Sequence, residues 1–211
     1  MSEFWIQGRD DSPDEYLTIK NLTRSKLKIK GSIFIATALS VSSEEEARNW
    51  IRKISQEFFD ATHHCFAYKI KIGQSDIVKY SDAGEPRGTA GSPILSAIES
   101  EKLFNVLVVV TRYFGGTKLG TGGLSRAYRL SAQAVLRDCE KIEKLVTAEL
   151  SFQFHINQTN KVSQVLSRFD CKILEENFGD NVTMKTEVRK GNLEKLKKAL
   201  LDSTHGQIKF T

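Results

Sequence analysis

Cysteine and proline are scarce in this chain, with three of each among 211 residues. Cys65, Cys139 and Cys171 are widely spaced, odd in number and never paired as CxxC, which argues against a disulfide framework and against a zinc ribbon. They are expected to be buried, reduced thiols. Long apolar runs are absent too: the longest, Val106 to Val110, falls far short of the roughly 20 residues that span a bilayer. The opening Met-Ser-Glu-Phe-Trp lacks the charged-then-apolar layout of a secretory signal, so a cytoplasmic location without membrane attachment is expected. No fixed-period repeat appears, which disfavours a solenoid. Acid is missing from one stretch in particular. Between residues 102 and 137 the chain carries Lys102, Arg112, Lys118, Arg126, Arg129 and Arg137 without a single Asp or Glu. The net charge of +5 is modest, but its basic part is concentrated there.

What is present fits an ordinary globular protein, 40% hydrophobic and 27% charged. The expected fold class is α+β in two domains, 1–145 and 146–211. In the first, Leu17–Lys20 and Lys26–Val41 look like strands. Ser43 with Glu46 three residues on forms a capping box, and Ala47, Trp50, Ile51, Ile54 and Phe58 make one stripe of the helix it opens. Cys65–Ile72 alternates as a strand. Ser92-Pro93 supplies an N-cap and a first-turn proline for a short helix, and Asn105–Phe114 reads as a buried strand. In the second domain, the strand Leu150–Ile156, a helix over Val162–Phe169, a hairpin turning at Gly179–Asn181, a helix over Leu193–Leu200 and a last strand at Gln207–Phe210 follow in order. That order, βαββαβ, is ferredoxin-like.

Two segments carry chemistry. The first runs from Arg112 to Arg129 and holds five glycines, Gly115, Gly116, Gly120, Gly122 and Gly123. Such a loop permits left-handed backbone and close approach, and where it empties into a helix it offers free N–H groups to an anion. Its spacing matches neither GxxxxGK[ST] nor GxGxxG, so no nucleotide cofactor is expected. On the helix, Leu124, Ala127, Tyr128, Ser131, Ala134 and Val135 share one side, while Arg126, Arg129, Gln133 and Arg137 form a ridge on the other. The alternative is a solvated helix face and a loop whose glycines serve packing alone. The second segment, Ser81–Pro93, holds three glycines and two prolines, and its loop Ser81–Ser92 is expected to be more mobile than its flanks. Asp82 and Glu85 there are candidate paired carboxylates for acid–base work or ligands for a hard cation, against the simpler expectation of an Asx-type turn followed by an extended Glu-Pro step. His63 and His64 point to opposite faces of a strand and lack a second pair, so no metal site is expected. Gly123-Leu-Ser125-Arg-Ala127 misses the final glycine of a nucleophile elbow and is rejected as one.

The runs Ala61–Tyr68, Ser81–Leu95 and Val108–Tyr128 together resemble the YigZ/IMPACT family in its bacterial branch, along the whole chain. The resemblance implies a first domain like the second domain of ribosomal protein S5 and a second domain like the ferredoxin-like last domain of elongation factor G. It also implies a translational setting, since eukaryotic members regulate a stress-kinase pathway through a ribosome-associated partner. Those members carry a further N-terminal module, so that partnership is not carried over. The expected function is therefore non-enzymatic: binding of RNA or a ribosomal surface through Arg112, Gly115, Gly116, Lys118, Gly120, Gly122, Gly123, Arg126 and Arg129, with stacking by Tyr113, Phe114 and Tyr128 if these are exposed. The competing expectation is an enzyme acting on a small phosphorylated or anionic substrate, with Asp82 or Glu85 as base, His63 or His64 as its assistant and the glycine loop as a phosphate cradle. A third, a protein-binding module, requires an exposed apolar patch.

Overall fold

The computed structural model describes residues 15–72 and 75–211. It divides into two compact units, one over Tyr16–Lys144 and one that contains Leu145–Thr211. The first unit runs β1 (Glu15–Ile19), β2 (Thr23–Ile29), β3 (Ser32–Ser40), α1 (Glu44–Glu57), β4 (His63–Ile72), β5 (Ser75–Ser81), α2 (Gly91–Ser100), β6 (Val106–Tyr113), α3 (Gly120–Asp138) and β7 (Lys141–Leu145). Strands β2-β3-β6-β4-β5 form an antiparallel sheet, and β1 pairs with β7 in a separate ribbon.

Central strand β6 explains its own composition. Val106, Val108 and Val110 join the core with Ile94 and Ile98 of α2 and Leu124, Tyr128 and Val135 of α3. Leu107 and Val109 face the other way, into a second core with Ala47 and Ile54 of α1. A strand covered by helices on both faces needs apolar residues at every position, hence the unbroken Val-Leu-Val-Val-Val run.

Three local details differ from expectation. The run Lys26–Val41 is a hairpin: Lys30 and Gly31 take φ of 44° and 85°, the paired left-handed conformation of a tight two-residue turn. The Ser43 hydroxyl accepts from the Glu46 N–H at 3.1 Å, as a capping box requires, but the Glu46 carboxylate returns to Ser42 rather than Ser43, accepting from its N–H and hydroxyl at 2.8 Å each. Helix α2 starts at Gly91, one residue before the expected cap. Its N-cap residue Ala90 has no side chain able to serve, and the role passes to Asp82.

The second unit comprises β8 (Thr147–His155), α4 (Thr159–Arg168), β9 (Lys172–Asn177), β10 (Asn181–Arg189), α5 (Leu193–Ser203) and β11 (Lys209–Phe210). The sheet order β11-β8-β10-β9 is the ferredoxin-like arrangement read from the sequence. Leu150, Phe152 and Phe154 of β8 pack with Val162, Leu166, Leu196 and Leu200 of the two helices. Both units are α+β, as expected.

Candidate nucleic-acid interface

Helix α3 builds the site. Its buried side is Leu124, Ala127, Tyr128, Ser131, Ala132, Val135 and Leu136, which leaves Arg126, Arg129 and Arg137 exposed on the far side. Lys118, just before the helix, is exposed as well. Among the described residues no ion pair engages Lys118, Arg126 or Arg129, whereas Lys20, Arg24, Arg48 and Lys141 are paired with carboxylates. The first turn of α3 contains no acid, and its N-cap residue Leu119 gives no side-chain cap. The orphan N–H groups and the positive end of the helix dipole therefore add to the same basic surface.

The glycines divide by cause. Gly115 passes so close to Gly31 that a Cβ there would overlap the Gly31 carbonyl, so its job is packing between the glycine loop and the β2–β3 turn. Gly116 and Gly120 have φ of 84° and 72° with open space around them, and are required by backbone conformation. Gly123 would bring a Cβ to 3.2 Å from that of Leu119. Gly122 has neither positive φ nor a neighbour within 4 Å.

Arg112 departs from expectation. It is 5% exposed, and its guanidinium is held by Glu85 at 2.5 Å and by the Ser32 hydroxyl at 3.4 Å. β6 ends in a run of buried residues, and a cation there is tolerated only beside a carboxylate. Arg112 thus lies beneath the basic surface rather than on it. Glu85 is correspondingly buried, accepting also from the Tyr128 hydroxyl at 2.8 Å and lying 3.8 Å from His63 Nε2. Tyr128, considered for stacking, is a core residue whose hydroxyl is pushed up in pKa by burial. Tyr113 is half-buried and donates to Asp60 at 2.8 Å, while Phe114 is 48% exposed.

Asp82 organises the segment that was expected to be mobile. Its carboxylate accepts from the backbone N–H groups of Gly88 at 2.8 Å and of Ala90 and Gly91 at 2.9 Å each. Burial opposes its charge, but these donors and nearby Arg87 outweigh that and hold its pKa below the ordinary carboxylate value. Its backbone carbonyl accepts from the Cys65 thiol at 2.9 Å, and burial pushes that thiol up to about 12. Cys65 and Cys139 are buried free thiols and Cys171 a partly buried one.

Of the candidate catalytic groups, Glu85 and His63 come within 3.8 Å of one another, while Asp82 and His64 do not join them. Asp82 spends its carboxylate on backbone, Glu85 is neutralised by Arg112, and His64 contacts the Thr111 hydroxyl at 3.1 Å from the opposite sheet face. The histidine near Glu85 is His63, whose Nδ1 donates to the Ala83 carbonyl at 2.9 Å. The two loops do meet around a cavity of about 280 Å³, lined by Glu85, Pro86, Arg112, Phe114, Lys118, Leu119, Gly120, Thr121 and Leu124. A smaller hollow of about 150 Å³ beside it brings Lys30 of the β2–β3 turn next to Arg126. Lys30 escaped the sequence reading, since only the fold brings a residue before Gly31 to the start of α3. A larger cleft of about 400 Å³ in the second unit offers Lys209 as its one lysine and no arginine, so it suits a polyanion less well. Among the described residues there is no metal-binding group of His, Cys, Asp and Glu, and no helix long and apolar enough to cross a membrane.

Residues 30–136, which contain both converging loops, match the Impact N-terminal domain, and residues 153–207 match a domain of unknown function, DUF1949. The chain belongs to the IMPACT family. The IMPACT family member YvyE of Bacillus subtilis is 34% identical over 91% of this chain and 88% of its own length. The member YigZ of Escherichia coli is 30% identical over 87% of this chain and 90% of its own. A crystal structure described only as that of a hypothetical protein has 28% identity and a TM-score of 0.73, covering 93% of this chain and 96% of that one. In this IMPACT chain Lys118, Arg126 and Arg129, the glycine loop and the cavity all fall inside the part that matches the first of the two domain models.

Proposed function

We propose that this protein binds RNA or a ribosomal surface through the exposed side of α3 and the glycine loop, and modulates translation without chemistry of its own. One observation carries this reading: Lys118, Arg126 and Arg129 are exposed and free of ion pairs among the described residues, around an uncapped helix start with no acid in its first turn. A basic helix face that is merely solvated usually has its charges laced to neighbouring acids; here the acids lie elsewhere in the chain. Phosphate oxygens are the ligands that match unpaired Lys and Arg together with orphan N–H groups. The translational setting rests on the family resemblance. Co-sedimentation with ribosomes at low and high salt tests the proposal: the protein pellets with ribosomes at low salt and is released at high salt. A double Arg126→Gln, Arg129→Gln variant that stays folded yet pellets as the parent does overturns it.

A further inference from the structure

We infer that the cavity between the Asp82–Glu85 loop and the start of α3 receives one unpaired base of an RNA single strand, whose flanking phosphates lie along Lys118, Arg126 and the glycine loop. This rests on the RNA reading above and narrows it from nucleic acid in general to single strands.

The cavity has the size and the walls for a base. At about 280 Å³ it sits at the small end of ligand pockets, ~300–1,000 Å³, which suits a single planar group and is too small for a dinucleotide. Pro86, Phe114, Leu119 and Leu124 supply its apolar lining. Phe114 is the decisive residue. Half of its surface is exposed although it follows a buried strand, and the Arg112 guanidinium lies 5.5 Å from its ring centroid, a cation–aromatic pair at the cavity wall. Flat apolar surfaces of this kind bind any base by its face, and the nearby cations track the backbone.

The polar groups are placed to serve the same ligand. The contacts of Glu85 with Arg112, Tyr128 and His63 all fall on Oε1, so the carboxylate is fixed in place at the cavity while Oε2 faces no described partner. Lys118, Gly120 and Thr121 line the same cavity as Phe114. Gly122, with open space where a side chain would stand, lets a sugar–phosphate chain lie against the helix start. A base in the cavity is therefore next to the phosphate-binding groups, within one nucleotide. Duplex RNA keeps its bases stacked inside and presents only its backbone, so it gains nothing from this cavity.

The test uses the full chain and a short labelled RNA, single-stranded or annealed to its complement, with binding read by fluorescence anisotropy. Phe114→Ala is expected to weaken single-strand binding about fivefold or more, the effect of losing one stacked base, and to leave duplex binding unchanged. Thr121→Trp, an exposed position at the cavity, is expected to do the same by filling it without touching the core. Adenosine 5′-monophosphate probes the cavity apart from the polymer. It should shift the amide resonances of Phe114 and Gly120–Leu124, whereas inorganic phosphate at equal ionic strength shifts at most those of the helix start and leaves Phe114 unmoved. The inference is overturned if both variants bind single strands like the parent, if duplex binding suffers equally, or if the nucleotide acts no differently from phosphate. In those cases RNA binding that still depends on Arg126 and Arg129 shows that only the cavity assignment has failed. A parent protein that binds neither form of RNA but responds to the nucleotide at these resonances removes the RNA reading and leaves the cavity as a nucleotide site.

Discussion

Glu85 Oε1 lies 2.5 Å from the Arg112 guanidinium across 27 residues of sequence, with both side chains almost wholly shielded from water. The pair ties the loop after β5 to the end of β6, directly under the surface we assign to RNA. Two desolvated charges this close hold one another in place, but removing one strands the other. Arg112→Met or Glu85→Leu alone is therefore expected to cost about 3–5 kcal/mol in urea unfolding, and the double variant clearly less than the sum. A single Arg112→Met variant that costs under about 1 kcal/mol would return Arg112 to the binding surface.

Asp82 gives a pH signature. Its pKa is lowered in the folded protein, against the opposing effect of burial, by the N–H groups of Gly88, Gly91 and Ala90. A lowered folded pKa stabilises at pH values above the unfolded value of ~3.9, and the contribution disappears as pH falls through the folded value. Asp82→Asn is expected to lose about 2 kcal/mol at neutral pH, where charged acceptors are stronger than neutral ones. The difference between variant and parent should shrink below about pH 4. Equal losses at pH 7 and pH 3 in urea titrations contradict the assignment.

Asp82 also shows what sequence reading reaches and where it stops. The βαββαβ unit was legible because its strands alternate cleanly, as Leu150, Phe152 and Phe154 do, and because a local turn joins β9 to β10. The basic side of α3 was legible for the same reason: helical periodicity separates Arg126 and Arg129 from Leu124 and Tyr128 without knowledge of the fold. Strand β5 was not, since Asp76, Val78, Lys79 and Tyr80 are all exposed on a sheet edge and leave no period to read. Arg112 and Glu85 were each noticed, but their pairing is a long-range contact that moves both out of the roles their residue types suggested. Asp82 caps a helix from eight residues before its N-cap, a distance at which no local capping pattern operates.

The glycines offer a contrast within one loop. Gly115→Ala forces a Cβ into the Gly31 backbone, so the β2–β3 turn must move and a loss of at least about 2 kcal/mol is expected. Gly122→Ala meets nothing and lies in the first turn of a helix, where alanine is favoured by about 0.5–1 kcal/mol. If RNA backbone lies against this turn, the Gly122→Ala protein melts higher than the parent yet binds RNA more weakly. Higher stability with unchanged binding would take the backbone away from that position.

The second unit should fold without the first and bind RNA poorly. Its helices and sheet enclose their own core, and from residue 146 onward it carries 10 basic against 8 acidic residues with no basic cluster comparable to that in 102–137. A fragment over 146–211 is expected to unfold cooperatively on heating, followed by circular dichroism. Ribosome or RNA affinity equal to that of the full chain would place the interface in the wrong unit.

The salt dependence of binding measures the interface most directly. Each phosphate contact with a single strand releases counterions and contributes about −0.7 to the slope of log affinity against log salt. With Arg112 buried, the footprint is Lys118, Arg126 and Arg129, so a slope of roughly −2 is expected, equivalent to a roughly twentyfold loss between about 50 and 200 mM salt. Arg126→Gln with Arg129→Gln removes two contacts and should flatten the slope by about 1.4. The fold should be untouched, because both side chains are exposed and neither holds an ion pair among the described residues. Lys30→Gln then asks whether the β2–β3 turn belongs to the same footprint: beside Arg126 at the smaller hollow, it should flatten the slope by a further ~0.7 if it meets phosphate. A double arginine variant that keeps both affinity and slope makes the side of α3 a solvated face, and a variant that unfolds makes the arginines structural; either result removes α3 from the interface.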